Sequence, residues 1–266
     1  MRVFPEVFCS FLLAGFGVGP LAAQQPPPEL TLAEVGQAYR QAHGGSATMN
    51  GVDSVVITGE TTRSGKHAAF SISRKRPDLF RLDMQQGGPS VHYAFDGEEA
   101  WTWSSAQDSE ATPVDFAEQP LLAREVDFFS PLMLYSEKRQ SLSYLGRVET
   151  RGENGEPRQA LHVRYQNDFG GTEDYYLDPN TYLEFRAVYH PGREDGPVMV
   201  TYLSDYRRVE SGMSIPYRVH HHIQRDGEEV LVSRSSVESV SINPGLLSLF
   251  FRPPASRLPK QLGQAE

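Results

Sequence analysis

The chain has 266 residues, of which 39% are hydrophobic and 22% charged. That composition suits a packed core rather than a disordered chain. Its 23 glycines and 19 prolines favour turns over long helices. Twenty-five Lys and Arg against 34 Asp and Glu leave a net charge of −9, which argues against phosphate-backbone binding and against a polybasic hold on anionic lipid. The length allows one or two domains.

Arg2, the apolar run from Phe8 to Val18 and the small residues Leu21-Ala22-Ala23 read as a secretory signal peptide (1–23) cut after Ala23. An anchor helix is the alternative, but the run falls short of the roughly 20 residues that span a bilayer. Cys9, the single cysteine, lies inside it. The processed chain would then have no disulfide, thiol nucleophile or Cys-ligated metal. Export without disulfides suits a bacterial periplasm.

Residues 24–29, with Pro26-Pro27-Pro28, read as an extended linker. Thr31 and Glu34 have capping-box spacing. Leu32, Val35, Tyr39 and Ala42 then share a helical stripe that ends at His43-Gly44-Gly45. From Ser54 the period falls to two, the mark of strands. Val55 and Ile57 share a face, as do Phe80, Leu82 and Met84, and Val91, Tyr93 and Phe95. Asp96-Gly97 forms a turn, and Trp101 and Trp103 share a face of the next strand. Ala106 to Glu118 reads as an acidic loop, and Leu121 to Tyr135 as a helical segment that Pro131 breaks. Alternation resumes from Leu145 to Ile242, and the residues after Pro254 (255–266) read as a disordered tail.

About twelve sequential antiparallel strands make a meander that curls rather than staying flat. The fold class expected is mainly β with helical plugs (α+β). The curled antiparallel sheet would form an open or closed barrel with helices plugging its mouth.

Local motifs for chemistry are weak. Gly59 and Gly65 are one residue too far apart for a phosphate loop, and His67 follows Lys66 where Ser or Thr is needed. In His220-His221-His222, His220 and His222 share one strand face, expected to meet solvent opposite Tyr217, Val219, His221 and Ile223. A third ligand, such as His190 or His162, has no assignable place beside them, so no metal and no cofactor are expected. Asp108, Glu110, Asp115 and Glu118 read as a solvated charge run. No G-x-S-x-G or H-E-x-x-H occurs. The positive signal is aromatic: 14 Phe, 12 Tyr and 2 Trp. Tyr93, Phe95, Trp101 and Trp103 are expected on one apolar side. They line either ordinary core under a helix or a cavity that holds acyl chains by nondirectional contact.

Four segments carry a family resemblance: Arg76-Pro77-Asp78-Leu79-Phe80-Arg81-Leu82, Phe95-Asp96-Gly97-Glu98-Glu99-Ala100-Trp101, Tyr175-Tyr176-Leu177-Asp178-Pro179-Asn180-Thr181 and Leu249-Phe250-Phe251-Arg252-Pro253-Pro254. With the leading helix they make residues 30–254 resemble the bacterial outer-membrane lipoprotein-sorting family, in the LolA/LolB lipoprotein-carrier superfamily. The resemblance implies an unclosed β-barrel of about 11–12 strands, capped by helices on its concave face. It implies binding of lipid or lipoprotein acyl chains in the periplasm, without metal, cofactor or covalent chemistry, and so not an enzyme. The lining expected is Phe80, Leu82, Tyr93, Phe95, Trp101, Trp103, Leu161, Val163, Leu183 and Phe185. An envelope sensor of the same fold, docking a regulatory protein partner, is the alternative.

Overall fold

A computed structural model describes residues 29–106, 110–115, 125, 128–167, 170–192, 196–225 and 227–254. The expected signal peptide with its cleavage site, most of the Pro-rich linker and the expected tail lie outside the described residues, as do parts of the acidic loop and of the 121–135 segment.

Thr31 starts the first helix, α1 (Leu32–Ala42), as its spacing predicts. The Glu34 amide donates to Thr31 Oγ1 at 3.3 Å, and the Thr31 amide donates to Glu34 Oε2 at 2.7 Å. Gly44 and Gly45, at φ 120° and 80°, turn the chain into a second helix, α2 (Gly45–Asn50). Sequence reading takes that glycine pair only as a stop. Residues 131–137 form turns, starting at Pro131, where the helical segment is expected to break.

Thirteen strands follow rather than about twelve. Six form a first run: β1 (Ser54–Arg63), β2 (Lys66–Lys75), β3 (Leu79–Gln85), β4 (Val91–Phe95), β5 (Ala100–Ser104) and β6 (Thr112–Pro113). The two residues of β6 fall in the segment read as an acidic loop. Seven form a second run: β7 (Leu142–Arg151), β8 (Pro157–Gln166), β9 (Thr172–Leu177), β10 (Glu184–His190), β11 (Val198–Arg208), β12 (Ser214–Arg225) and β13 (Glu228–Ile242). Each run is a meander. The two join where β1 pairs antiparallel with β13, from Val55 opposite Ile242 to Arg63 opposite Ser233. The sheet order is β6-β5-β4-β3-β2-β1-β13-β12-β11-β10-β9-β8-β7, so β6 and β7 are edges and the sheet is not closed.

One face of this sheet carries the helices. Val35 and Tyr39 of α1, Met49 of α2, and Phe129, Leu132 and Met133 pack on Leu142, Leu161, Val163, Tyr165, Tyr175, Leu177 and Ala187. Two arginines tie this plug together. Arg40 donates to the Met133 carbonyl through Nε (3.0 Å) and Nη2 (2.6 Å). Arg76 donates to the Val52 and Met49 carbonyls, each at 2.7 Å, and lies over the Phe128 and Phe129 rings. Each cation meets carbonyl dipoles and aromatic faces in one place, a pairing that strengthens where water is excluded.

Gly59 marks a shift of register between β1 and β13. A Cβ there would lie 2.1 Å from the Ser236 carbonyl and 2.8 Å from Phe70 Cζ. The phenyl ring therefore occupies space that any side chain would need, a known way of covering a strand glycine. Gly59→Ala is expected to cost about 1–3 kcal/mol by overpacking, read as a lower urea midpoint with unchanged slope.

Candidate functional site

Pairing registers carry the helix-bearing face across the whole sheet. Ala187, under the plug, pairs with Thr201; Thr201 pairs with His221, and His221 with Ser233. Through Ser235 and Thr61, whose hydroxyls lie 2.9 Å apart, the same face continues into β1. From there Ile57 pairs with Ile72, Ile72 with Leu82, and Leu82 with Tyr93. Gly59, Phe70, Met84 and Val91 form the next row on one side, and Val55, Arg74, Phe80 and Phe95 the row on the other. Val240 and Val237 extend the first two rows onto β13.

Ile57, Phe70, Ile72, Leu82, Met84, Tyr93, Val237 and Val240 are only half-buried. They stand outside the core under the plug. On the opposite face of the same strands lie Thr58, Glu60, Ser71, Ser236, Ser239 and Ser241. This is the apolar-in, polar-out alternation of an antiparallel sheet with one wet face, yet here the apolar side is the one left partly uncovered.

Phe80, Leu82, Tyr93 and Phe95 come together on this face. Phe80 is buried where Arg74 lies over its ring, and the Arg74 guanidinium pairs with Glu125 at 2.6 Å. Leu161 and Val163 share the face but are sealed beneath the plug. Leu183 sits in the β9–β10 turn, its carbonyl accepting from the Asp178 amide at 2.9 Å. Phe185 stands at the bulge between Glu184 and Arg186. It is buried beneath the Arg158 guanidinium, 3.8 Å from its ring centre, on the opposite face.

Trp101 and Trp103 do not share a side with Tyr93 and Phe95. Trp101 pairs with Ala94 and Trp103 with His92, whereas Tyr93 pairs with Thr102 and Phe95 with Ala100. The β4–β5 loop has an even number of residues, 96–99, so positions facing each other differ in parity. Both tryptophans therefore lie on the face away from the helices. Trp103 stacks on His92 at 5.0 Å and lies under Arg81, which also covers Phe250 and donates to its carbonyl at 2.9 Å. Nearby, Arg252 pairs with Asp96 at 2.7 Å, and Asp96 Oδ1 accepts the Glu98 and Glu99 amides. Three of the four family-like segments thus meet on that face.

The His220/His222 pair also departs from expectation. It points away from the helices, but not into open solvent. His222 is buried edge-on to Tyr202, beside a second small core of Val188, Val200 and Tyr202, and His220 pairs with Glu153 from the β7–β8 turn. Here the tip of the β7–β8 hairpin reaches this face through Glu153. No group of three or more metal-capable side chains occurs among the described residues.

Two buried polar clusters set the electrostatics. On the opposite face, Asp174 accepts from His162 (2.8 Å) and from Arg164 (2.7 and 2.9 Å). Burial pushes its carboxyl up, but the His162 and Arg164 hydrogen bonds prevail and hold it well below the usual range. Under the plug, the Tyr39 hydroxyl donates to Glu184 Oε2 at 2.7 Å, and burial with the Glu184 charge raises that phenol well above its ordinary value. His43 Nδ1 lies 3.0 Å from the Tyr39 carbonyl. Burial pushes its imidazole down to about 4, so it is neutral at pH 7.

No protein-family model and no curated protein matches the sequence. Solved structures do match in three dimensions. One is a protein domain from Vibrio parahaemolyticus named for outer membrane lipoprotein sorting, with TM-score 0.54, 8% identity, and coverage of 83% of this chain and 95% of that one. Another is a LolA superfamily protein from Nitrosomonas europaea, with TM-score 0.53, 8% identity, and coverage of 84% and 98%. The fold is LolA-like. A DUF1329 family protein from Desulfovibrio piger matches the same LolA-like fold with TM-score 0.55, 10% identity, and coverage of 84% and 97%. At such identity the likeness carries the fold alone. No helix among the described residues is long and apolar enough to cross a membrane.

The residues that sequence reading passed over are Phe70, Ile72, Val237 and Val240. Alternation in β2 and β13 gives their parity, but nothing local says that β13 lies beside β1.

Proposed function

We propose that this protein is an exported, periplasmic binder or carrier of lipid or lipoprotein acyl chains, acting without covalent chemistry. The observation that carries this reading is the half-buried apolar floor of β1–β4 and β13, on the helix-bearing face and outside the plug's core. The helix-bearing face would be the inside of the half-barrel, with the plug covering only the β7–β10 side. Leu82, Tyr93, Phe80 and Phe95 would line the chain's path together with Ile57, Phe70 and Ile72. Burying an acyl chain is worth about 0.8 kcal/mol per methylene, less the cost of ordering it. Affinity should therefore climb with chain length.

Hexadecanoate is the probe. Tyr93→Trp introduces an indole on the proposed floor, and its emission is expected to move to the blue on binding. Trp101 and Trp103 of the unaltered protein should stay silent, since both lie on the other face. Leu82→Asp should weaken binding at least tenfold while the far-UV spectrum is kept. A shift in the native tryptophans with none at Tyr93→Trp would refute the assignment. Protein taken from its own host and found empty, but joined to one envelope protein in fixed ratio by native mass spectrometry, would replace the carrier reading with partner docking.

A further inference from the structure

The helix-bearing face changes character along the strands. Two apolar rows, Val240-Ile57-Ile72-Leu82-Tyr93 and Val237-Gly59-Phe70-Met84-Val91, are followed by a mixed row of Val219, Ser235, Thr61 and Ala68. The next row is polar across five neighbouring strands: Thr201 (β11), His221 (β12), Ser233 (β13), Arg63 (β1) and Lys66 (β2). Thr201 Oγ1 and His221 Nδ1 lie 3.0 Å apart, and the Ser235 and Thr61 hydroxyls 2.9 Å apart. Arg63 and Lys66 are exposed at the β1–β2 turn, and neither forms an ion pair among the described residues. Among the described residues, the other charges facing this end are Arg225 and Glu228, which oppose each other on the longer β12–β13 hairpin. Among the described residues the local balance is thus cationic, in a chain whose net charge is −9.

We infer that the occupant is an amphiphile with an anionic group at the head of its chain, bound in one direction. The chain lies over the Ile57 and Phe70 rows, and the head meets Arg63 and Lys66. This rests on the acyl-binding reading above and adds the charge and polarity of the ligand. Carboxylate and phosphate heads share the needed chemistry: negative charge and several acceptor oxygens, matched by a guanidinium fork and an ammonium. A reversed ligand would carry its charge past Leu82 and Tyr93 towards Arg74, a cation already paired with Glu125.

The test compares hexadecanoate, hexadecyl phosphate and the neutral monohexadecanoyl glycerol on the unaltered protein and on an Arg63→Ala, Lys66→Ala double variant. Both positions are exposed, so folding should be kept. The double variant is expected to bind the two anions about fivefold more weakly, in line with two solvent-screened charges, and the neutral ester unchanged. Raising the salt from 0.05 to 0.5 M should remove the difference. Loss for one anion only would assign the head as carboxylate or phosphate. Equal affinity of all three ligands for both proteins overturns the headgroup assignment while leaving acyl binding intact. Failure of all three to bind the unaltered protein overturns acyl binding, and the headgroup assignment with it.

Discussion

Leu132→Ala is expected to lower the free energy of unfolding by about 2–5 kcal/mol, the range for deleting three carbons from a site that cannot collapse. Leu132 is fully buried. It stands where the 131–137 turns meet α1 and the β7–β10 strands, packed with Val35, Tyr39, Leu161 and Val163. Arg40 and Arg76 hold the turns and α2 in place, so the cavity would be fixed rather than relaxed away. Leu82→Ala is the contrast. Leu82 is half-buried on the uncovered part of the same face, and its loss should cost about 1 kcal/mol of stability. Urea unfolding followed by far-UV dichroism gives both numbers. Similar costs at the two sites would mean that the floor is as closely packed as the plug, and would count against an open binding face.

Acid is expected to loosen the plug through His43. The imidazole is 4% exposed, and burial lowers it to about 4 from an ordinary value near 6.5. The unfolded chain therefore takes up a proton at a higher pH than the folded one does. Stability from this group is complete above pH 6.5, falls as pH drops from 6.5 towards 4, and is lost below that. The loss is about 3 kcal/mol at 1.36 kcal/mol per pH unit. Asp174, with its lowered carboxyl, acts in the same direction at lower pH: its stabilisation persists until pH falls below about 3.8, so the two windows are separable. Unfolding free energies measured from pH 7.5 to pH 4 should slope in the native protein. The slope should flatten in His43→Leu, and a slope that survives in that variant would assign the acid sensitivity elsewhere.

How much of this was legible in the residues depends on the range of the interaction. The local signals of α1, of β3 and of two Asp turns named their elements correctly. The Thr31–Glu34 spacing predicts the start of α1 because a capping box needs only one turn of chain. The alternation of Phe80, Leu82 and Met84 marks one face of β3 because side-chain parity is a property of a single strand. Asp96 and Asp178 mark turns because each carboxylate captures amides two and three residues on. The LolA-like fold was readable from four short segments in order.

Non-local pairing escaped the sequence. Nothing local in Ile57 or Val240 says that β1 lies beside β13, 181 residues away at Thr58 and Ser239. That contact turns two meanders into one sheet and gathers the apolar floor. Parity within a strand could not assign a face either. One even loop put Trp101 and Trp103 opposite to Tyr93 and Phe95, and one bulge sent Phe185 to the side of Arg158. The sequence alone determined which residues alternate and where the chain turns, since those preferences act over a few bonds. Tertiary structure alone decided which alternating set the helices cover and which stays open, because that depends on register, and register is set by loop length and by contacts between distant strands.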